Sequence, residues 1–395
     1  MTESINHASR AHATLSPSSA ARWLTCTAAP GLEAQMPENS SSVYAEEGTL
    51  AHEIAEVQLR SYFDGSFSAK KKAAELKKFK ADKLYQDEMM THTETYLDIV
   101  KQLYMQFQED PFIQIEQKFP LDSITGEIGS VGTTDCILIG NSCLTVIDFK
   151  YGKGCPVSAE KNPQMMIYAL AALDFYSMIY QIETVKTVIV QPRLSADPSV
   201  YTLTAEELRA FGREVWAKSR LILDGKGEFK PSAAACRFCR AGAVCKARAK
   251  YNTEMAFKVS TSPDTIGLDE IGMYLKKGED IQAWLGTVSD YAMSQIIQGN
   301  DVKGYKVVEG RGSRDWTDVE KAFAHLKELG TEEALLYERT ALSVAKAEKL
   351  LGKKNFETAA GEYVINRQGR PTLVPDTDKR PAITTKISAA EAFKN

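Results

Sequence analysis

Residues 144–149, LTVIDF, form an apolar run that reads as a buried strand, yet it carries Asp148, and Lys150 follows two places on. A strand sends alternate side chains to opposite faces, so an acid and a base two apart point to one side. An unpaired charge in an apolar layer is costly. As a partly exposed ion pair the two would add little to stability. The pattern therefore calls either for mutual pairing at a strand end or for chemistry there.

The neighbouring runs fix the fold class. FIQIEQKF (112–119) and EIGSVGTTDCILIG (127–140) read as strands before it, with turn signals SITGE and GNS between runs, as in a meander. NPQMMIYALAALDFYSMIY (162–180) is a strongly apolar helix, and VKTVIVQPR (185–193) a further strand. Upstream, SPSSAARWLTC opens like a capped helix, with Ser16 as N-cap and Pro17 in the first turn. VYAEEGTLAHEIAEVQLRSYF (43–63) and DEMMTHTETYLDIVKQLYMQF (87–107) are helical, and SAKKKAAELKKFKADK (68–83) is a lysine-rich solvated segment. Helix, three strands, helix, strand is an α/β core. Beyond it, residues 268–299 read as helix, 304–316 as strand-like and 318–330 as helix, so the C-terminal part is expected to be an α+β extension ending in a Pro-rich tail. The expected division is a disordered 1–15, a core over 16–250 and an extension over 251–395.

A chain of 395 residues suits about two or three domains. No stretch is long and apolar enough to span a bilayer, and the N-terminus lacks a signal-peptide core, so a cytoplasmic protein with no membrane partner is expected. The net charge of −4 does not advertise a nucleic-acid binder, although a local basic groove can sit on an acidic protein. Neither a Walker phosphate loop nor a G-x-S-x-G nucleophile elbow occurs.

Asp135 closes GSVGTTD, one strand before Asp148 and Lys150, and adjacent antiparallel strands bring such residues within reach. Two carboxylates and water suit a hard cation such as Mg²⁺ or Mn²⁺, which can polarise a phosphate. A lysine beside them can stabilise developing negative charge. Glu116, in IEQKF, offers a further carboxylate.

GTTD (132–135), VIDFK (146–150) and QMMIY (164–168), in this order, resemble the G-x-x-D, D-x-K and Q-x-x-x-Y motifs of the RecB-like branch of the PD-(D/E)xK nuclease superfamily. Gln164 and Tyr168, four apart, share one helix face. The resemblance implies a restriction-endonuclease-like core with helical N-terminal elements. It implies Asp135, Asp148, Lys150, Gln164 and Tyr168 as catalytic residues. GTLAHEIAE resembles the first motif of that branch, which makes His52 a metal ligand beside Asp135, Asp148 and the Phe149 main-chain carbonyl. The implied activity is metal-dependent DNA hydrolysis, in exonuclease mode, leaving a 3′-hydroxyl and a 5′-phosphate. The alternative is a non-catalytic DNA-binding or assembly protein on a nuclease fold.

Seven cysteines are present, and Cys236-x-x-Cys239 with Cys245 puts three soft ligands in one short segment. Cys26 stands upstream as a fourth. One cysteine before the core and three after it resembles AddB-type and CRISPR-associated RecB-like nucleases, and implies a [4Fe–4S] cluster with a structural role. Four thiolates alone suit zinc equally well. Cys136, Cys143 and Cys155 read as packing residues.

Candidate phosphate contacts are Lys153, Arg193, Arg237, Arg240, Lys246 and Arg248, and Arg311, Arg314 and Trp316 combine cations with an aromatic that could stack a base. The whole chain also resembles a phage-encoded family of RecB-like proteins. That likeness implies DNA recombination or processing in a bacterial host cytoplasm, with a single-strand-binding or annealing protein or a separate helicase as partner, and homo-oligomerisation as a further expectation.

Overall fold

The computed structural model describes residues 13–37, 43–256, 267–308, 318–330, 332–333, 336 and 343–364. The chain divides into two compact units at Val307/Val308.

The first unit opens with a 3-10 turn, Pro17–Ser19, and the short helices α1 (Ala20–Thr25) and α2 (Ala29–Glu33). Three longer helices follow, α3 (Val43–Phe63), α4 (Ala69–Lys80) and α5 (Asp87–Tyr104). Next come β1 (Phe112–Pro120), the turn helix α6 (Asp122–Thr125), β2 (Val131–Gly140), β3 (Cys143–Phe149), α7 (Pro163–Tyr176), β4 (Thr184–Val190), β5 (Ser199–Thr204) and α8 (Ala205–Leu223). It ends with α9 (Ala233–Cys236), α10 (Lys246–Ala256) and the long α11 (Leu268–Ile297). In the second unit the described helices are α12 (Val319–Glu328), α13 (Val344–Leu351) and α14 (Lys353–Ala360), the first two capped by Asp318 and Ser343.

The sheet order is β1-β2-β3-β4-β5, antiparallel except for the parallel β3–β4 pair that α7 connects. Local chemistry accounts for the joints. Asn141 and Ser142 both adopt positive φ, 48° and 56°, so a two-residue loop closes the β2–β3 hairpin with the twist such hairpins need. The Asn162 side chain accepts from the Gln164 and Met165 N–H groups, and Pro163 fits the first turn of α7. Thr204 and Glu207 form a capping box at α8.

Strand alternation fills two cores. Ile137, Ile139, Leu144 and Val146 pack under α7 and α8, with Met165, Leu170, Leu208 and Val215. Cys136, Leu138, Ile147 and Phe149 face α3 and α5, with Leu50, Ile54, Tyr96 and Val100. Burying a side chain such as Leu or Ile contributes about 1.5–3 kcal/mol, so these two layers position everything described below.

Several expectations need correction. Residues 13–15 are not a disordered lead-in: Leu15 is buried, and the Thr14 and Leu15 N–H groups donate to the Glu127 carboxylate. Ser16 precedes the first turn but gives no side-chain cap; its carbonyl accepts from Trp23 Nε1. Residues 304–308 form no strand, and Tyr305, Val307 and Val308 are exposed. The second unit is helical among its described residues, so the expected α+β character has no strand there. Arg311, Arg314, Trp316 and the Pro-rich tail lie outside the described residues. The lysine-rich segment is the exposed helix α4, and no described helix is long and apolar enough to cross a membrane.

Arg193 is a brace and not a surface cation. Its side chain is 8% exposed, with Nη1 3.2 Å from Glu47 of α3, Nη2 2.6 Å from Glu88 of α5, and the guanidinium over the Tyr151 ring. It thus bolts both helices to the end of β4. Arg193→Met leaves Glu47 in a largely buried place without its partner, and we expect a loss of about 3 kcal/mol, read as a lower denaturant midpoint at unchanged slope.

Candidate metal centre and four-cysteine cavity

The β2–β3 ladder ends at the Cys136–Ile147 pair, so Asp135 and Asp148 are the first residues past it. At this fork the Phe149 N–H donates to Asp135 Oδ2 at 2.7 Å, the side chain standing in for a strand acceptor. The β1–β2 ladder also skips a step, between Ile115–Cys136 and Gln117–Thr134, where Glu116 would face Asp135. Glu116 holds a φ of 52° there, a costly conformation for a residue inside a strand, and such strain gathers at functional sites.

From the other layer, α3 brings His52 to the same spot, its Nδ1 3.5 Å from Asp135 Oδ1 and its ring edge-on to Phe149. Among the described residues, His52, Glu116 and Asp135 are the one trio of potential ligands whose ligand atoms all lie within 4.8 Å of one another. Asp148 is drawn to Lys150, whose Nζ sits 3.0 Å from Oδ2 and donates to Oδ1 at 3.4 Å. The Oδ2 contact is an ion pair, and Oδ2 is buried without a hydrogen bond among the described residues. Lys150 Nζ also donates to Gln164 Oε1 at 3.3 Å. Tyr168 packs one turn further along α7: a Cβ at Gly132 would meet its ring at 3.0 Å, so the glycine of GTTD leaves room for the tyrosine.

The electrostatics follow from crowding. Burial pushes Glu116 up to about 7, helped by the charge of Asp135. Burial likewise raises Asp148, outweighing the pull of Lys150. Burial works against ionised Asp135 too, but His52, the Phe149 N–H and Lys150 together hold it below the usual range. Burial disfavours the His52 cation, and the Asp135 and Asp148 charges override it and raise the pKa. Tyr168 is pushed to about 12 by burial. His52, Glu116 and Asp135 could together hold a cation, with Asp148 and Lys150 beside them and Asp148 turned to the lysine. Sequence reasoning placed Glu116 last among the ligands; the structure places it in the trio.

Elsewhere in the unit, Cys26, Cys236, Cys239 and Cys245 line one cavity of about 20 Å³. Main-chain pairing of Ala28 with Glu228 and the Glu228 N–H to Thr27 Oγ1 bond stitch the upstream segment to the downstream one. The approach is so close that a Cβ at Gly227 would stand 2.3 Å from the Thr27 carbonyl oxygen. Buried Glu33 completes the clamp, accepting from Arg22 Nε and the Arg240 N–H. Burial raises the Cys236 thiol, and burial together with Glu33 pushes Cys239 to about 12. These thiols stay protonated unless a metal takes them. Of the other cysteines, Cys136 is fully buried beneath α3 and α5.

The sequence pattern of the family described as "Protein of unknown function (DUF2800)" matches residues 12–381. The chain belongs to that family. Among solved structures, one titled "Crystal structure of SSO0001" is 16% identical to this DUF2800 chain, covers 58% of it and 97% of its own chain, and has a TM-score of 0.23. A likeness at that score carries no argument about fold or chemistry.

Among the cations suggested as phosphate contacts, Lys153 is exposed next to the metal centre's strand, whereas Arg248 is buried at the four-cysteine cavity. Nothing in the local sequence marks Arg193 or Arg248 as buried, because Glu47, Glu88 and Asp280 are 32 or more residues away.

Proposed function

We propose that this DUF2800 protein is a metal-dependent DNA nuclease with a PD-(D/E)xK-type core, acting as an exonuclease. The observation that carries the reading is the convergence of Asp135, Asp148 and Lys150 at one strand fork with His52 and Glu116. Asp148 Oδ2 is buried, faces only the Lys150 ammonium and makes no hydrogen bond among the described residues, so it is free to ligate a cation. His52, Glu116, Asp135 and Asp148, with the Phe149 carbonyl, would hold Mg²⁺ or Mn²⁺. Such an ion, when bound, polarises the phosphate and lowers the pKa of a water.

The chain's own residues have separate tasks. Lys150 sets a positive charge where the attacking oxygen and the phosphate gain negative charge. Gln164 holds the lysine in place, and Tyr168 fixes Gln164. Water attacks phosphorus, the bond to the 3′-oxygen breaks, and that oxygen takes up a proton, leaving a 3′-hydroxyl and a 5′-phosphate.

The four-cysteine cavity is proposed to hold a [4Fe–4S] cluster that staples residues before the sheet to residues after it. Four thiolates suit zinc or an iron–sulfur cluster, and the preference for the cluster rests on the resemblance of the cysteine pattern.

The test is cleavage of end-labelled linear single- and double-stranded DNA by anaerobically purified protein, with Mn²⁺, Mg²⁺ or EDTA, beside Asp148→Ala. Metal-dependent degradation that the variant lacks is expected. Folded, cluster-loaded protein that binds DNA but never cuts it would move the assignment to a binding or assembly role.

A further inference from the structure

Among the described residues, Arg248 is the one charged residue lining the four-cysteine cavity; its neighbours there, apart from the thiols, are Ala29, Leu32, Phe229, Pro231 and similar groups. Its side chain is 4% exposed and pairs through Nη2 with Asp280 of α11. Its Nη1 is buried and donates to no acceptor among the described residues. A buried guanidinium N–H without an acceptor costs free energy, so an acceptor belongs there. The charge reaches Cys236, where it acts against the burial that raises the thiol. The Trp284 Nε1 to Gly242 carbonyl bond docks α11 on the same cysteine segment, which fixes Asp280 and hence Arg248.

Four thiolates around a core of about two positive charges leave a site of net charge about −2, and local charge and hydrogen bonds to sulfur set such a cluster's potential. We propose that Arg248 is the counter-charge built into this site: its Nη1 donates a hydrogen bond to the anionic iron–sulfur cluster and raises its reduction potential. The proposal rests on the iron–sulfur reading above. An added electron makes the cluster more negative, and a fixed cation nearby favours that state. Asp280 offsets part of this, so the two residues push the potential in opposite directions. Arg248 acts on the cluster as a positioning and tuning residue and is distant in role from the strand-fork centre.

The experiment is a spectroelectrochemical titration of anaerobically purified full-length protein, with iron and acid-labile sulfide measured on each sample. Arg248→Met is expected to lower the reduced-to-oxidised ratio at a fixed potential about tenfold, a shift of about 59 mV for one electron. Arg248→Lys keeps most of the parental value. Asp280→Asn moves the midpoint the other way. Should Arg248→Met fail to fold, the sign of the Asp280→Asn shift decides: an upward shift supports the proposal, and no shift or a downward one overturns it. Parental midpoints in iron-loaded Arg248→Met and Asp280→Asn would overturn the proposal and leave the cluster standing. A parent that carries zinc and no iron would overturn the cluster reading itself, a different and separable result.

Discussion

Lys150→Ala is expected to slow DNA cleavage about a thousandfold while DNA binding stays within a few-fold of the parent. Removing one fixed electrostatic donor from a preorganised site costs about 10²–10³ in rate, and a thousandfold is about 4 kcal/mol of barrier. Lys150 belongs at the upper end because its Nζ faces both Asp148 and Gln164, so its loss also frees Gln164 from its hold. Binding should survive because one lysine is a small share of the phosphate contacts a DNA strand needs. Burial already raises the Asp148 carboxyl, so without Lys150 it can hold a proton in place of an unpaired charge, and a melting temperature within a few degrees of the parent is part of the expectation. Single-turnover cleavage with saturating Mn²⁺, set beside a filter-binding titration in EDTA, separates the two effects. Parental cleavage with lost binding would recast Lys150 as a phosphate grip and remove it from the chemistry.

The sequence disclosed the centre to the extent that local rules govern it. Alternation put Asp148 and Lys150 on one side, and a two-residue turn put β2 beside β3, so Asp135 and Asp148 meet as neighbours. A four-residue step on α7 aligned Gln164 with Tyr168. The sequence offered Glu116 only as a further carboxylate; its place beside His52 and Asp135 depends on a positive φ that interrupts β1, which no residue type announces. Arg193 read as a free cation for the same reason that buried ion pairs always do: its partners come from helices 105 and 146 residues away. β5 escaped notice because a short edge strand with a half-exposed pattern carries little apolar signal. Residues 304–308 erred the other way. They look like a strand in composition, but Tyr305, Val307 and Val308 have no sheet to join among the described residues.

Cys239→Ser should strip iron and sulfide from the protein and lower its melting temperature by about 10 °C. The reasoning is topological. The four cysteines gather one segment from before the sheet and one from after it, and the hydrogen bonds that join those segments are short-range surface and loop contacts: Ala28 and Thr27 with Glu228, Arg22 with the Phe238 carbonyl, Arg240 with Glu33 and the Pro37 carbonyl, and the Lys230 N–H with Cys26 Sγ. In small metal-stapled units the binding free energy is largely folding free energy. If losing the cluster costs about 4 kcal/mol, a domain of this size should melt about 8–16 °C lower. Serine is nearly isosteric, so packing is preserved and ligation is what changes. The centre at the strand fork is built by different elements, and residual protein that stays folded should therefore cleave DNA at close to the parental rate below the new melting point. Calorimetry with iron analysis tests the first half, and cleavage at reduced temperature the second. A cluster-free Cys239→Ser protein that melts with the parent would remove the staple and leave the four thiols as a site for something other than stability.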